Sequence, residues 1–333
     1  MENNARISLL DFLPVSIFGA VMGLSGLCFA WRIADKLWGL NFGISEPVAV
    51  IAIGLFIILT VAFIVKFRNN PSLPIKELDH PVAGSFYATF IISLLLIPGL
   101  LLPYAPALAT LIWVIAALAM LLFAWYVLRK WLDHQQLPEN AMPAWVIPIV
   151  GTLDVPIVGA HLHIYGIHEI CMVFFGIGLV FTFILLTMIV SRLMFQAAIP
   201  TPMQPTLLIL TGPLALAFTG YESLTGIQDV FATVIFYFNI FLFALLASKI
   251  IILPKACPFF VSWWSVSFPM AAVTISALHY AEHRPGMSHM IIAAAFLFVT
   301  TLVIIFLAIQ TLYRIFKGTF ASLAPPVTDR PYC

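Results

Sequence analysis

Ten stretches of this chain run for 17 residues or more with at most one acidic or basic side chain apiece. A helix crosses the hydrocarbon core of a bilayer with about 20 apolar residues, so each stretch reads as a membrane span. They lie near 14–31, 47–65, 82–102, 107–128, 144–161, 167–190, 205–221, 230–248, 259–280 and 288–312. Backbone groups in lipid must be bonded within the chain, which leaves helices or a closed barrel, and the alternation of barrel strands is not visible. The expected fold class is an all-α integral membrane protein whose residues 1–333 form a single transmembrane domain.

The composition removes several classes of function. Charged residues make up 9% of the chain and hydrophobic residues 62%, whereas a soluble domain carries about 25% charge. A net charge of +1 supplies no basic stripe, so a nucleic-acid partner is not expected. Cys28, Cys171, Cys257 and Cys333 show neither CxxC pairing nor metal spacing, which predicts neither disulfides nor a zinc site. The uncharged run after Asp11 is too long for a signal-peptide core and lacks a small-residue cleavage site, so it is expected to remain as the first span. The loops and tails are short, which puts the activity inside the bilayer and makes an enzyme unexpected.

Lysine and arginine outside the spans divide twelve to three between the two sides. By the positive-inside rule both termini are cytoplasmic, and odd spans run outward. Proline divides the spans differently. Pro14, Pro98, Pro148, Pro156, Pro213 and Pro269 fall in or at the edge of spans 1, 3, 5, 7 and 9, while even spans have none past their first residue. A proline removes an N–H and clashes with the preceding turn, so it bends a helix interior. The chain thus reads as five repeats of a hairpin with one bent and one straight helix. Irregular backbone at membrane depth is tolerated where it is buried or lines a cavity, which puts the bent helices in an inner ring. Five axes about 9 to 10 Å apart lie about 8 Å from the centre, and removing about 5 Å of helix radius leaves a bore of about 3 Å radius.

Span 9 reads WWSVSFPMAAVTISALHYAE (Trp263 to Glu282), span 1 reads LPVSIFGAVMGLSGLCFAW (Leu13 to Trp31), and the last span closes on Tyr313-Arg314-Ile315-Phe316-Lys317-Gly318. Together these resemble the tellurite-resistance/dicarboxylate transporter family, which includes bacterial TehA and the plant slow-type anion channels. The resemblance implies a ten-helix subunit with its own central pore, assembled as a homotrimer in a bacterial inner membrane and gated by a phenylalanine on helix 9. In WWSVSFP that position is Phe268.

No lysine or arginine falls inside the bent spans as drawn, so selection would rest on dehydration, hydroxyls and helix N-terminal dipoles. Ser16, Ser25, Thr89, Ser93, Thr152, Thr211, Thr219, Ser267 and Thr274 are the candidate hydroxyls, each of which could equally bond its own helix. Phe18, Gly19, Gly23 and Phe218 are further wall candidates, and the Gly19, Gly23, Gly26 series could instead be a packing face. Asp154 lies near the midplane of span 5, where a carboxylate is expensive and functional by default. It could be a neutral acid bonding between helices, a proton carrier, or a carboxylate with an unidentified partner. His161, His163, His168 and Glu169 gather between spans 5 and 6, with spacing that argues against a metal, and Glu222 reads as interfacial. Lys66, Arg68, Lys76, Arg129, Lys130, Lys249, Lys255, Arg314 and Lys317 read as anchors on the cytoplasmic face.

The expected function is an anion channel or channel-like transporter for small inorganic or organic anions or dicarboxylates, without a cofactor. The alternatives are a proton-coupled C4-dicarboxylate carrier using Asp154, and a haem or quinone membrane oxidoreductase using histidines. The charge count makes the first prediction: a reporter fused after Cys333 is active only in its cytoplasmic form. Periplasmic activity of that fusion would mean a miscounted span.

Overall fold

The computed structural model describes residues 13–253 and 258–319. Arg6, Lys255, Cys257, Arg330 and Cys333 lie outside the described residues. Among those described, ten apolar helices follow one another: α1 (Val15–Trp38), α2 (Ser45–Asn69), α3 (Ala83–Leu101), α4 (Pro106–Asp133), α5 (Pro143–Gly159), α6 (Ile167–Phe195), α7 (Thr201–Thr225), α8 (Val230–Ile250), α9 (Val261–His283) and α10 (Met287–Phe316). A short helix, Ser72–Asp79, precedes α3. The protein is an all-α, multi-pass integral membrane protein. Nine of the ten helices have the length and apolarity to cross a bilayer, and α5 is shorter.

Odd and even helices differ in burial. In α1, α3, α7 and α9, 67% to 83% of the apolar core window is buried, against 17% to 39% in α2, α4, α6, α8 and α10. Nearly every residue of α5 is buried. The odd helices pack in sequence order, α1 on α3, α3 on α5, α5 on α7 and α7 on α9, and α9 closes the ring against α1. Each even helix packs outside its hairpin partner, and α6 spans α5 and α7. The even helices leave apolar side chains such as Val50, Leu111, Phe241 and Phe298 exposed toward lipid.

The odd helices are irregular over whole turns rather than at single proline kinks. Each starts as a 3-10 helix: Val15–Phe18, Ala83–Phe86, Pro143–Val146, Thr201–Thr211 and Val261–Val266. No even helix does. Pro148, Pro213 and Pro269 sit in the first turn of the α-helical part that follows, at the change from 3-10 to α geometry. Pro14 precedes the first 3-10 turn, Pro156 lies in the last short α segment of α5, and Pro98 lies inside α3. The 3-10 rise of about 2.0 Å against about 1.5 Å also lengthens α5. Its 3-10 pieces Pro143–Val146 and Gly151–Leu153, with α-helical Ile147–Val150 and Asp154–Gly159, span about 29 Å, close to the bilayer core.

Helix ends extend past the charge-free windows because terminal charges are paired. Arg32 and Lys36 lie inside α1, which corrects the expectation that the bent helices hold no cation. The Arg32 guanidinium donates to Glu46 at 3.0 Å and to the carbonyls of Gly99 and Leu100 at 2.9 and 3.2 Å, closing the end of α3. Lys66 is fully buried and donates to Glu77 at 2.7 Å and to the Leu13 carbonyl at 2.9 Å, so it fixes the start of α1 rather than anchoring at a surface.

The seam between α1 and α9 depends on glycine. A β-carbon at Gly23 would collide with the Ser267 side chain, and one at Gly26 would come within 2.7 Å of the Ala271 Cβ. The Ser267 hydroxyl bonds across the seam to the Gly19 carbonyl at 3.0 Å. Replacing Gly26 with Val should cost about 1 to 3 kcal/mol of overpacking, lowering the thermal unfolding midpoint of the purified protein. Gly54→Val on the lipid-facing side of α2, where a β-carbon meets nothing within 4 Å, is the matched control and should shift it little.

Candidate functional site

All five odd helices meet around one cavity of about 60 Å³. Its wall is Ser16, Gly19 and Met22 of α1; Phe86, Thr89 and Ile92 of α3; Val146, Ile147, Val150, Gly151 and Asp154 of α5; Ile209, Gly212, Pro213 and Leu216 of α7; and Val261, Ser262, Trp264, Ser265, Phe268 and Pro269 of α9. Most of these residues belong to the N-terminal halves of their helices, with Asp154 and Leu216 past the middle of theirs, and the five initial 3-10 segments gather at one end of the ring. Ser16 and Phe86 lie in the 3-10 turns and Gly19, Met22, Thr89 and Ile92 in the α-helix that follows, where residues three apart remain neighbours on one face.

Contacts between neighbouring helices set the levels. Gly19 sits beside Trp264, Gly23 beside Ser267 and Gly26 beside Ala271, with the Phe268 ring 3.7 Å from the place of a Gly26 β-carbon. Gly151 lies against Ile92, and Gly99 lies between Phe29 and Val158. The wall residues farthest along their helices, here the inner layer, are Met22, Ile92, Asp154, Leu216 and, beside Pro269, Phe268. Asp154 is 1% exposed, and neither carboxyl oxygen has a hydrogen-bond partner.

The hydroxyls around this space are mostly committed to the backbone. Thr89 donates to the Phe86 carbonyl at 2.6 Å, Ser265 to Ser262 at 2.6 Å and Ser262 to Pro202 at 2.5 Å. Their oxygens face the cavity as acceptors, an arrangement that gives an anion little. What favours negative charge is the convergence of five helix N-termini.

Of the residues singled out in the sequence, the cavity brings together Ser16, Gly19, Thr89, Asp154, Pro213, Phe268 and Pro269. The others lie elsewhere. Phe18 packs edge-on against Phe56 and Phe90, toward α2 and α3. Gly23 and Ser267 form the α1–α9 seam. Thr152 faces Gly178 of α6 and donates to the Ile149 carbonyl at 2.8 Å. Thr211 donates to Leu208 at 2.8 Å, and Phe218 packs on Phe236 and Tyr280. Ser93, Thr219 and Thr274 bond carbonyls one turn back, and Ser25 is buried without a partner and does not line the cavity.

The histidines do not face one another across the ring. His161 and His163 are exposed, and His168 lies 3.7 Å from Glu169 and 3.3 Å from the Leu224 carbonyl. At the C-terminal ends of α7 and α9, the buried Glu222 lies 2.9 Å from His283, 3.4 Å from His279 and 3.0 Å from Gln228, tying the two helices together. Among the described residues no group of three or more His, Cys, Asp or Glu is placed to hold a metal. Cys28 and Cys171 are buried free thiols.

Residues 13–312 match the voltage-dependent anion channel (SLAC1) family. The chain belongs to that family. It is 22% identical to the S-type anion channel SLAH3 of Arabidopsis thaliana over 99% of this chain and 53% of the relative. It is 26% identical to a tellurite resistance protein TehA homolog of Haemophilus influenzae over 92% of both chains, and 26% identical to the uncharacterized transporter MJ0762 of Methanocaldococcus jannaschii over 79% and 83%. The chain thus spans about half the length of the plant relative and nearly all of the bacterial one. The family is one of channels and transporters rather than enzymes, with anions as cargo and the membrane as setting.

Thr152→Val and Thr211→Val should each leave anion flux into liposomes within about twofold of the parent, since these hydroxyls serve their own helix turn at a cost of about 1 kcal/mol. A loss of flux in a folded variant would place that side chain on the ion path.

Proposed function

We propose that each subunit conducts small anions along the axis of its five odd helices, with Phe268 as the gate. The observation that carries this reading is the cavity itself, to which every odd helix and no even helix contributes. A packed core would not require five 3-10 segments to converge on empty space. Five helix N-termini supply a favourable potential, and an apolar wall makes dehydration the main barrier, which admits weakly hydrated anions first.

Phe268 is 9% exposed and sits in the inner layer, one residue before Pro269, so its backbone is held at the junction of 3-10 and α helix. In a bore of about 3 Å radius one aromatic ring suffices to close the path. The reading takes all ten helices as spans, places both termini in the cytoplasm of a bacterial inner membrane, makes the cavity the inner vestibule and takes the assembly as a homotrimer. The N-terminal position of the cavity in outward-running helices supports that side.

Phe268→Ala should raise anion conductance in planar bilayers by about tenfold or more, because the occluding ring is removed. Phe268→Leu should stay largely closed. Unchanged conductance in a folded Phe268→Ala channel would sink the gate assignment.

A further inference from the structure

We propose that Asp154 is the selectivity contact of the pathway: as a neutral acid it donates its carboxyl O–H to a passing monovalent anion, and its ionisation shuts the pore to anions. The proposal rests on the channel reading above and names what that pathway accepts.

Four observations lead to it. Asp154 lines the same cavity as Phe268, and each is among the wall residues farthest along its helix. Both of its oxygens are buried and unbonded, although a carboxyl group serving to join helices would be found bonded to one. The wall offers no competing cation, and its hydroxyls at Thr89, Ser262 and Ser265 already spend their protons on carbonyls, while the fourth, Ser16, lies at the start of α1. A neutral acid is the remaining group at the inner layer with a proton to give.

No other titratable side chain shares the cavity wall. On the helices packed against this segment of α5, such groups lie toward the ends: Tyr87 in α3; Arg129, Lys130 and Asp133 in α4; His168, Glu169 and Arg192 in α6; and Tyr221 and Glu222 in α7. Cys171 of α6 lies beside Gly159, more than a turn beyond Asp154. Across the cavity, α1 presents Cys28 six residues past Met22 and then Arg32, Asp35 and Lys36, and α9 presents His279, Tyr280, Glu282 and His283 near its far end. Asp154 therefore titrates against the ion in the pore and not against a fixed partner.

The chemistry sets the cargo. A carboxylic acid O–H to an anion is a charge-assisted bond, formed where the ion has lost water. Solvation cost rises with the square of the charge, and one donor with no cation cannot offset it for a divalent ion. The site thus takes weakly hydrated monovalent anions, such as nitrate, over sulfate or a dicarboxylate dianion. Once ionised, the same group places a like charge in the bore and repels them.

The test is nitrate flux into liposomes with equal pH on both sides, from about pH 5 to about pH 8, for the conducting Phe268→Ala protein as parent and for the same protein carrying Asp154→Asn or Asp154→Leu. The parent should lose about tenfold of its flux as the pH rises, because the ionised form accumulates. Asp154→Asn, which keeps a donor and cannot ionise, should show no pH dependence, and Asp154→Leu should run about tenfold below it at every pH. Should the Leu variant fail to assemble by size-exclusion chromatography, the pH profiles of parent and Asn decide. Flux with the same pH profile in parent and Asn would overturn the proposal and leave the channel standing. So would proton-driven accumulation by the parent that Asn abolishes, which would make Asp154 a proton carrier. No flux from any variant, Phe268→Ala included, would remove the channel reading and this proposal with it.

Discussion

The contact between α1 and α9 holds the arrangement together, because it joins the first inner helix to the last and turns a row of hairpins into a ring. Lipid gives helices no hydrophobic reason to associate, so close van der Waals approach has to supply the force. Gly19, Gly23 and Gly26 permit that approach, and Ser267 and Ala271 fill it from the other side. The hydrogen bond from Ser267 to the Gly19 carbonyl adds a polar tie in an apolar setting. Trp264 donates to Thr311 and Trp31 to Thr301, which locks α10 behind the same seam. A larger residue at Gly23 or Gly26 would open the ring where no local connection could hold it.

Once closed, the ring leaves space because its helices are wound too tightly at one end. A 3-10 turn is narrower than an α turn and stacks every third residue on one line. Around the change from 3-10 to α geometry small residues line the cavity, among them Gly19, Thr89, Gly151, Gly212 and Ser265. Farther along, each helix relaxes to α geometry and carries a larger side chain inward, from Met22, Ile92 and Leu216 to Phe268.

The spans were legible because sparse charge forces ten helical windows, and the inner and outer sets were legible because proline sits in one and not the other. Helix ends were not: Arg32, Lys36, Lys66 and Arg192 lie within helices, and the partners of Arg32 and Lys66 are visible only in three dimensions. The wall was half legible. Reading hydroxyls as lining groups found Ser16 and Thr89 but also Thr152, Thr211 and Ser267, whose protons serve helix backbones. Phe18 misses the cavity by one position, since the 3-10 register presents Gly19 and turns Phe18 outward to Phe56 and Phe90. A three-residue period of small or flat side chains at the start of each odd helix was the signal that would have found Met22, Ile92 and Leu216. Asp154 was conspicuous in the sequence, but its lack of any partner was not.

The proposed ion path runs through this cavity and not between subunits or along the lipid face. Ser265→Cys in a protein whose four native cysteines have been replaced places one thiol in the wall, and an anionic methanethiosulfonate reagent adds bulk and negative charge there. Flux of nitrate into liposomes before and after modification is the measurement. Complete modification, verified by mass spectrometry, should abolish the flux. Undiminished flux through fully modified protein would contradict it.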